Sequence, residues 1–199
     1  TTTAKAGSVY SHLEFCRQVL FPNMDVHIIS TTDQWAQFSI AGPNARNLLS
    51  KIIDPSFNIS NETFPYMACA EITICSGVRA RIFRLSFSGE LAYEISVPSR
   101  YGDALIRKLI SAGKEFSVTM YGTEALGVMR IEKGHAAGNE LDGRNTPTNL
   151  GLNGLMAKKK DYIGKTLSSR EKLSGNKTMV GFLSVNPSEK LTSGSHFMN

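Results

Sequence analysis

Three strand-like segments in a row, Met67 to Cys75, Val78 to Phe87 and Leu91 to Val97, are separated only by the turn pairs Ser76-Gly77 and Ser88-Gly89. Connections this short join antiparallel neighbours, so the middle of the chain is committed to consecutive hairpins. The segments around them are amphipathic at helical spacing. Val9 to Leu20 predicts a helix with Val9, Leu13, Cys16, Val19 and Leu20 on one stripe. A second helix follows Gly42-Pro43, with Ala45, Leu48, Leu49, Ile52 and Ile53 inward and a stop at Asp54-Pro55. Arg100 to Ala112 predicts a third, closed by Gly113, and Thr123 to about Lys133 a fourth, capped by Thr123 and Gly134. Val26 to Thr32 and Trp35 to Ile40 read as a hairpin across Asp33-Gln34, and Phe116 to Thr119 as a short strand. Hairpins mixed with a few packed helices predict an α+β fold, with antiparallel or mixed sheets, rather than a doubly wound parallel one.

The strand ending at Pro98 also constrains chemistry. Leu91, Tyr93, Ile95 and Val97 share one face because strand side chains alternate, and Ala92, Glu94 and Ser96 share the other. The second face is small or polar and carries a single carboxylate, Glu94. A carboxylate only accepts hydrogen bonds and offers two parallel oxygens. It suits a ligand edge with two adjacent N–H donors, such as the amino-pyrimidinone edge of a pterin. On this stretch alone, a strand with one wet face and Glu94 in water is the simpler account.

Several chemistries lack their residues. The four histidines (His12, His27, His135, His196) have no metal-ligand spacing, so no metal site is expected. No GxGxxG follows a strand, no GxxxxGK[ST] exists, and Ser88 lies outside any G-x-S-x-G elbow. Three cysteines without CxxC spacing predict neither a disulfide framework nor a zinc site, and point to a reducing, cytoplasmic compartment. Cys69 and Cys75 lie in an apolar run and are expected to be buried and inert. No apolar run is long enough to span a bilayer and no signal-peptide pattern occurs. The net charge of +5 is moderate. Lys158 to Lys160 reads as a solvated surface, so no nucleic-acid partner is expected.

Two polar stretches remain. Arg130-Ile131-Glu132-Lys133-Gly134 ends a helix and predicts an Arg–Glu contact tying that helix to the next loop. Asn139 to Pro147 is rich in side chains that bond their own backbone and build turns. From Gly134 to residue 178 glycines interrupt any periodicity, which predicts a loop and junction region. Met179 to Val185 reads as the opening strand of a C-terminal β domain spanning 179–199 and left incomplete. The opening Thr1 and the ending Phe197-Met198-Asn199 suggest a chain truncated at both ends.

Taken in order, these pieces resemble the folate-dependent aminomethyltransferase family, which includes the glycine cleavage T-protein. Four segments carry the resemblance: Ser39 to Ala45; Ser88 to Pro98; Gly127 to Gly134 with Asn139 to Pro147; and Tyr162-Ile163-Gly164-Lys165. The wording of Glu132 to Arg144, the Asn149-Leu150-Gly151-Leu152 segment and the Thr-Thr-Thr opening are most similar to the branch of sarcosine oxidase alpha subunits, in their C-terminal region. The resemblance implies a T-protein-like folate-binding region over residues 1–133 and a tetrahydrofolate site. Glu94 would grip the pterin edge, Phe87 would lie beside the ring, and Thr3 (with Thr2) would approach it through backbone groups. It further implies enzymatic one-carbon transfer giving methylenetetrahydrofolate, partner subunits of sarcosine oxidase, and NAD and flavin bound outside this chain. Two departures bear on the reaction. Ala4 to Glu14 holds no aspartate where the T-protein has one, and Leu126 stands where it has an arginine. Both weigh against glycine-cleavage aminomethyl transfer, and less against trapping a methylene unit made by amine oxidation elsewhere, where folate's own amines are the nucleophiles. Two alternatives are a glycine-cleavage aminomethyltransferase and a non-catalytic folate-binding or scaffold module. No residue is assigned a catalytic role.

Overall fold

The computed structural model describes residues 3–170, 177–192 and 194–196. The chain divides into two compact units, Thr1–Met129 and Arg130–Asn199.

The first unit opens with a 3-10 turn (Thr3–Lys5) leading into helix α1 (Ala6–Phe15), extended by a π-helical turn (Cys16–Leu20). Only Cys16 of its expected apolar stripe is buried; Leu13, Val19 and Leu20 are exposed. Strand β1 (Trp35–Ala41) runs into Gly42, whose φ of +120° is closed to side-chain-bearing residues, and then into α2 (Ala45–Ser50). The three central strands follow as β2 (Cys69–Ile74), β3 (Val78–Phe83) and β4 (Ala92–Pro98). After them come α3 (Gly102–Gly113) and α4 (Thr123–Glu132). The sheet order is β1-β4-β3-β2 and every pairing is antiparallel. The fold is therefore α+β, with no mixed sheet among the described residues.

Period 2 sorts the sheet into an oily face and a polar face. Ile40, Tyr93, Ile95, Val97, Ile82, Ile72 and Ile74 meet Leu48, Leu49 and Ile53 at and beyond α2, and Leu105 and Leu109 of α3, in one core. The stripe expected on α2 is buried throughout, because each of its five residues falls on the side turned to the sheet. Tyr93, Ile95, Val97, Ile82 and Leu49 are fully enclosed. Each such aliphatic side chain contributes about 1.5–3 kcal/mol by leaving water.

Several local expectations are corrected. Val26 to Thr32 forms no strand: residues 26–31 are irregular and mostly exposed, Ile29 being 79% accessible, and a 3-10 turn (Thr32–Gln34) leads into β1. An alternating sequence becomes a strand only where a neighbour supplies the ladder. Phe116 to Thr119 is likewise not a strand. Helix α3 continues as a 3-10 turn (Lys114–Phe116), and the left-handed closure falls on Ser117 (φ +54°), not Gly113 (φ −83°). Gly113 is required for space instead, since a Cβ there would lie 2.5 Å from Val118 Cγ1. Cys69 and Cys75 are exposed rather than buried, one on the outer strand β2 and the other in the β2–β3 turn.

The second unit is built from loops. Arg130, Ile131 and Glu132 close α4 in a Schellman arrangement: His135 N–H donates to the Arg130 carbonyl at 2.8 Å and Gly134 N–H to that of Ile131 at 2.9 Å, with Gly134 left-handed as expected. Arg130 Nη1 then donates to Glu140 at 2.6 Å and to the His135 carbonyl. The expected Arg–Glu tie therefore exists, with Glu140 in place of Glu132. Burial pushes the Glu140 carboxyl up, but the Ala137 N–H and the Arg130 guanidinium outweigh it and hold it below the usual glutamate range. Asp142 accepts from Arg144 N–H and Asn149 from Thr146 N–H, so the 139–147 loop is turn-building as read. One short helix follows, α5 (Lys165–Ser168). Met179 to Val185 is irregular and mostly exposed, and no strand follows β4 among the described residues.

Candidate functional site

The polar face of the sheet places Glu94 near its centre. β4 is laddered on both flanks, to Ser39 of β1 on one side and Phe83 of β3 on the other. Alternation puts Gln37 and Ser39, Ala92 and Ser96, Arg81 and Phe83 on the same side as Glu94. Ala92 and Ser96 are buried, and Glu94 between them is half-buried. Gln37 Nε2 donates to Glu94 Oε2, and Gln37 Oε1 accepts from Ser96 Oγ at 3.1 Å. Both ends of the Gln37 amide are used, which fixes its orientation. The amide engages one carboxylate oxygen, Oε2, by this bond and so restrains the Glu94 side chain.

Gln37 and Ser39 also line a hollow of about 490 Å³ beside β1, walled by Leu48, Leu109, Tyr121 and Leu126. Glu94 flanks this hollow through Gln37 and is not itself among the lining residues. Phe87 lies in the β3–β4 connection and is exposed. That connection is shaped by Ser86 Oγ, which accepts from Gly89 N–H at 2.9 Å, and by Gly89 at φ +88°. Thr3 opens the first 3-10 turn; Thr2 lies outside the described residues. The structure thus gathers Glu94 with Gln37, Ser39 and Ser96, and holds Phe87 at the loop that enters the same strand.

Gln37 and Ser39 escaped sequence reasoning because they are 57 and 55 residues from Glu94 in sequence, and only the β1–β4 register joins them. The available signal was the alternation of Trp35, Gln37 and Ser39 in β1, whose polar members must share a face. No group of His, Cys, Asp and Glu able to hold a metal occurs among the described residues. No helix there is long and apolar enough to cross a membrane.

The family model described as "GCVT N-terminal domain" matches residues 1–160. The chain is similar to "Sarcosine oxidase subunit alpha" of Rhizobium meliloti (strain 1021), with 46% identity over 202 residues that cover 100% of this chain and 20% of that protein. It is 30% identical to mitochondrial "Dimethylglycine dehydrogenase" of Mus musculus over 90% of this chain and 21% of the relative. "Aminomethyltransferase" of Chloroherpeton thalassium is 28% identical over 81% of this chain and 44% of the relative. The chain thus spans about a fifth of the length of the first two relatives.

Proposed function

This chain belongs to the GCVT N-terminal domain family, and from that membership we propose that it is the tetrahydrofolate-binding domain of a sarcosine oxidase alpha-type polypeptide. In this reading it receives the one-carbon unit released by amine oxidation and yields methylenetetrahydrofolate. NAD and flavin belong to other parts of the polypeptide, and the partners are the other subunits of that oxidase.

The observation that carries the reading is the carboxylate of Glu94, held by Gln37 between the small β4 side chains Ala92 and Ser96. Bound tetrahydrofolate supplies the amines that capture the one-carbon unit. The chain's task is positioning. Glu94 accepts from the amino-pyrimidinone edge, the amide of Gln37 keeps its carboxylate from swinging, and Ala92, Ser96 and Ser39 leave room for a flat ring. Phe87 contributes an aromatic wall and Thr3 backbone groups. A glycine-cleavage aminomethyltransferase is the second reading, favoured by the aminomethyltransferase relative; Leu126 and the absence of Asp from Ala4 to Glu14 favour the first.

Calorimetry with tetrahydrofolate tests the site. Removing a charged acceptor of two donors is expected to weaken binding roughly 10- to 100-fold in Glu94→Ala. Unchanged affinity would remove Glu94 from the site. Formation of methylenetetrahydrofolate by the full-length oxidase without a lipoyl carrier protein separates the first reading from the second.

A further inference from the structure

Arg81 of β3 lies diagonally across from Glu94 on the polar face of the sheet, and its guanidinium is turned elsewhere. We infer that Trp35, with a second contact from Glu71, holds the Arg81 guanidinium off the Glu94 carboxylate and so keeps that carboxylate open to a ligand's N–H donors. That the ligand is tetrahydrofolate rests on the proposed folate role of Glu94.

Register brings the two groups within reach. Arg81 faces Ser96 of β4 and Phe83 faces Glu94, so Arg81 and Glu94 are diagonal neighbours on one side of the sheet. Diagonal side chains start about 7–8 Å apart, a gap that an arginine spans. One strand over, the same relation is closed: Arg79 is the diagonal neighbour of Glu71, and Arg79 Nη2 meets that carboxylate at 2.8 Å. Arg81 behaves otherwise. Its guanidinium lies over the Trp35 ring, 4.0 Å from the centroid, and its Nε is 3.5 Å from Glu71 Oε1. Trp35 is on β1, opposite Pro98, so the stacked pair crosses β4 above Ser96, which is 4% exposed. Glu94 Oε2 accepts instead from Gln37.

The diversion matters because of shape. A guanidinium presents two parallel N–H donors to a carboxylate, the same pattern as an amino-pyrimidinone edge. An arginine released onto Glu94 would occupy the oxygens that a ligand needs, and with a full charge that a neutral heterocycle lacks. The observed arrangement satisfies Arg81 away from Glu94. Its face rests on the indole and its edge donates to Glu71, whose carboxyl Arg79 holds below the usual glutamate range, so that it stays ionised. A cation–π contact and an exposed ion pair are each of the same order as a competing Arg81–Glu94 pair, so the two together decide against one. Trp35 acts through Arg81 and is a positioning residue.

The test measures tetrahydrofolate binding to the full-length protein by calorimetry and locates Arg81 in a crystal structure. Trp35→Leu is expected to weaken binding about tenfold at low ionic strength, and the loss to shrink at about 0.5 M salt, where an Arg81–Glu94 pair is screened. Adding Arg81→Gln should restore affinity to within about threefold of the unaltered protein, since no cation is left to release. Trp35→Phe keeps a ring under the guanidinium and should change affinity less than about threefold. Glu71→Gln, at a side chain 56% exposed, loosens Arg81 without touching the core and should cost about threefold, again restored by Arg81→Gln. The crystal structure of Trp35→Leu should show Arg81 within about 4 Å of Glu94, a readout that needs no ligand. In a protein that binds through Glu94, undiminished affinity in Trp35→Leu, or a loss that persists once Arg81 is replaced, overturns the inference. So does a crystal structure of Trp35→Leu in which Arg81 stays clear of Glu94. Tetrahydrofolate binding that Glu94→Ala leaves unchanged overturns the folate reading alone, and the place of Arg81 in Trp35→Leu still decides what holds it.

Discussion

Gln37 and Glu94 are 57 residues apart in sequence and share one hydrogen bond across neighbouring strands, with the far side of the same amide satisfied by Ser96 Oγ at 3.1 Å. The amide acts as a clamp on the carboxylate. Gln37→Leu takes the acceptor from the buried Ser96 hydroxyl as well as the donor from Glu94, so it is expected to cost about 1 kcal/mol of stability and to weaken tetrahydrofolate binding about threefold to tenfold. Gln37→Glu goes further. Two carboxylates side by side raise one of their pKa values, so binding should be poor at neutral pH and recover as pH falls toward 5, where the protonated partner again donates. Calorimetry across pH reads this directly.

Tyr93 is fully buried, stacks on Phe64 with centroids 6.5 Å apart, and accepts from Arg46 Nε at 2.9 Å. Tyr93→Phe strands that donor and is expected to cost about 1–2 kcal/mol. Tyr93→Ala, which also opens a cavity, is expected to cost roughly 3–5 kcal/mol by analogy with buried aromatic truncations. Urea unfolding separates the two.

Gly113→Ala would ordinarily favour a helix by up to ~1 kcal/mol. Here the sign reverses, because the new methyl lies 2.5 Å from Val118 Cγ1 and 2.7 Å from its Cβ. A net loss of about 1–2 kcal/mol is expected from overpacking. Adding Val118→Ala should return part of it, an outcome that a loss of backbone freedom could not give.

Glu140 ties its loop to Arg130 and to the Ala137 amide. Its folded pKa lies below the unfolded one, so its contribution is present above the ordinary glutamate value of about 4.3 and disappears as pH falls through the lower folded value. Amide exchange at Ala137 should accelerate across that acid window. Glu140→Gln should flatten the dependence.

Cys69 and Cys75 are exposed and Cys16 is buried. In the native protein an aromatic disulfide reagent is expected to titrate two thiols quickly, with the third reacting only on unfolding. Mass mapping of the labelled peptides identifies them.

Much of the fold was legible because its signals are local. The α2 stripe, the β2–β3–β4 meander and the Gly134 cap each depend on residues within a few positions of one another. The failures have a common physical root. Val26 to Thr32 and Phe116 to Thr119 carry strand patterning but lack a ladder partner, and nothing within the segments reports that. Cys69 was misjudged because its neighbours in sequence point to the opposite face of β2, and Cys75 because the strand ends at Ile74 and leaves it in the turn. At the site, the face of Glu94 was readable from alternation alone, whereas its clamp and the Trp35–Arg81 stack required the register of β1 against β4 and of β4 against β3.

That register has one more effect. Because β4 is bonded along both edges, main-chain drift is denied to the stretch that presents Glu94, and an ill-fitting heterocycle cannot be met by moving the backbone. Selectivity then comes from rejection by an unyielding platform, so close analogues should differ mainly in how fast they leave rather than how fast they arrive.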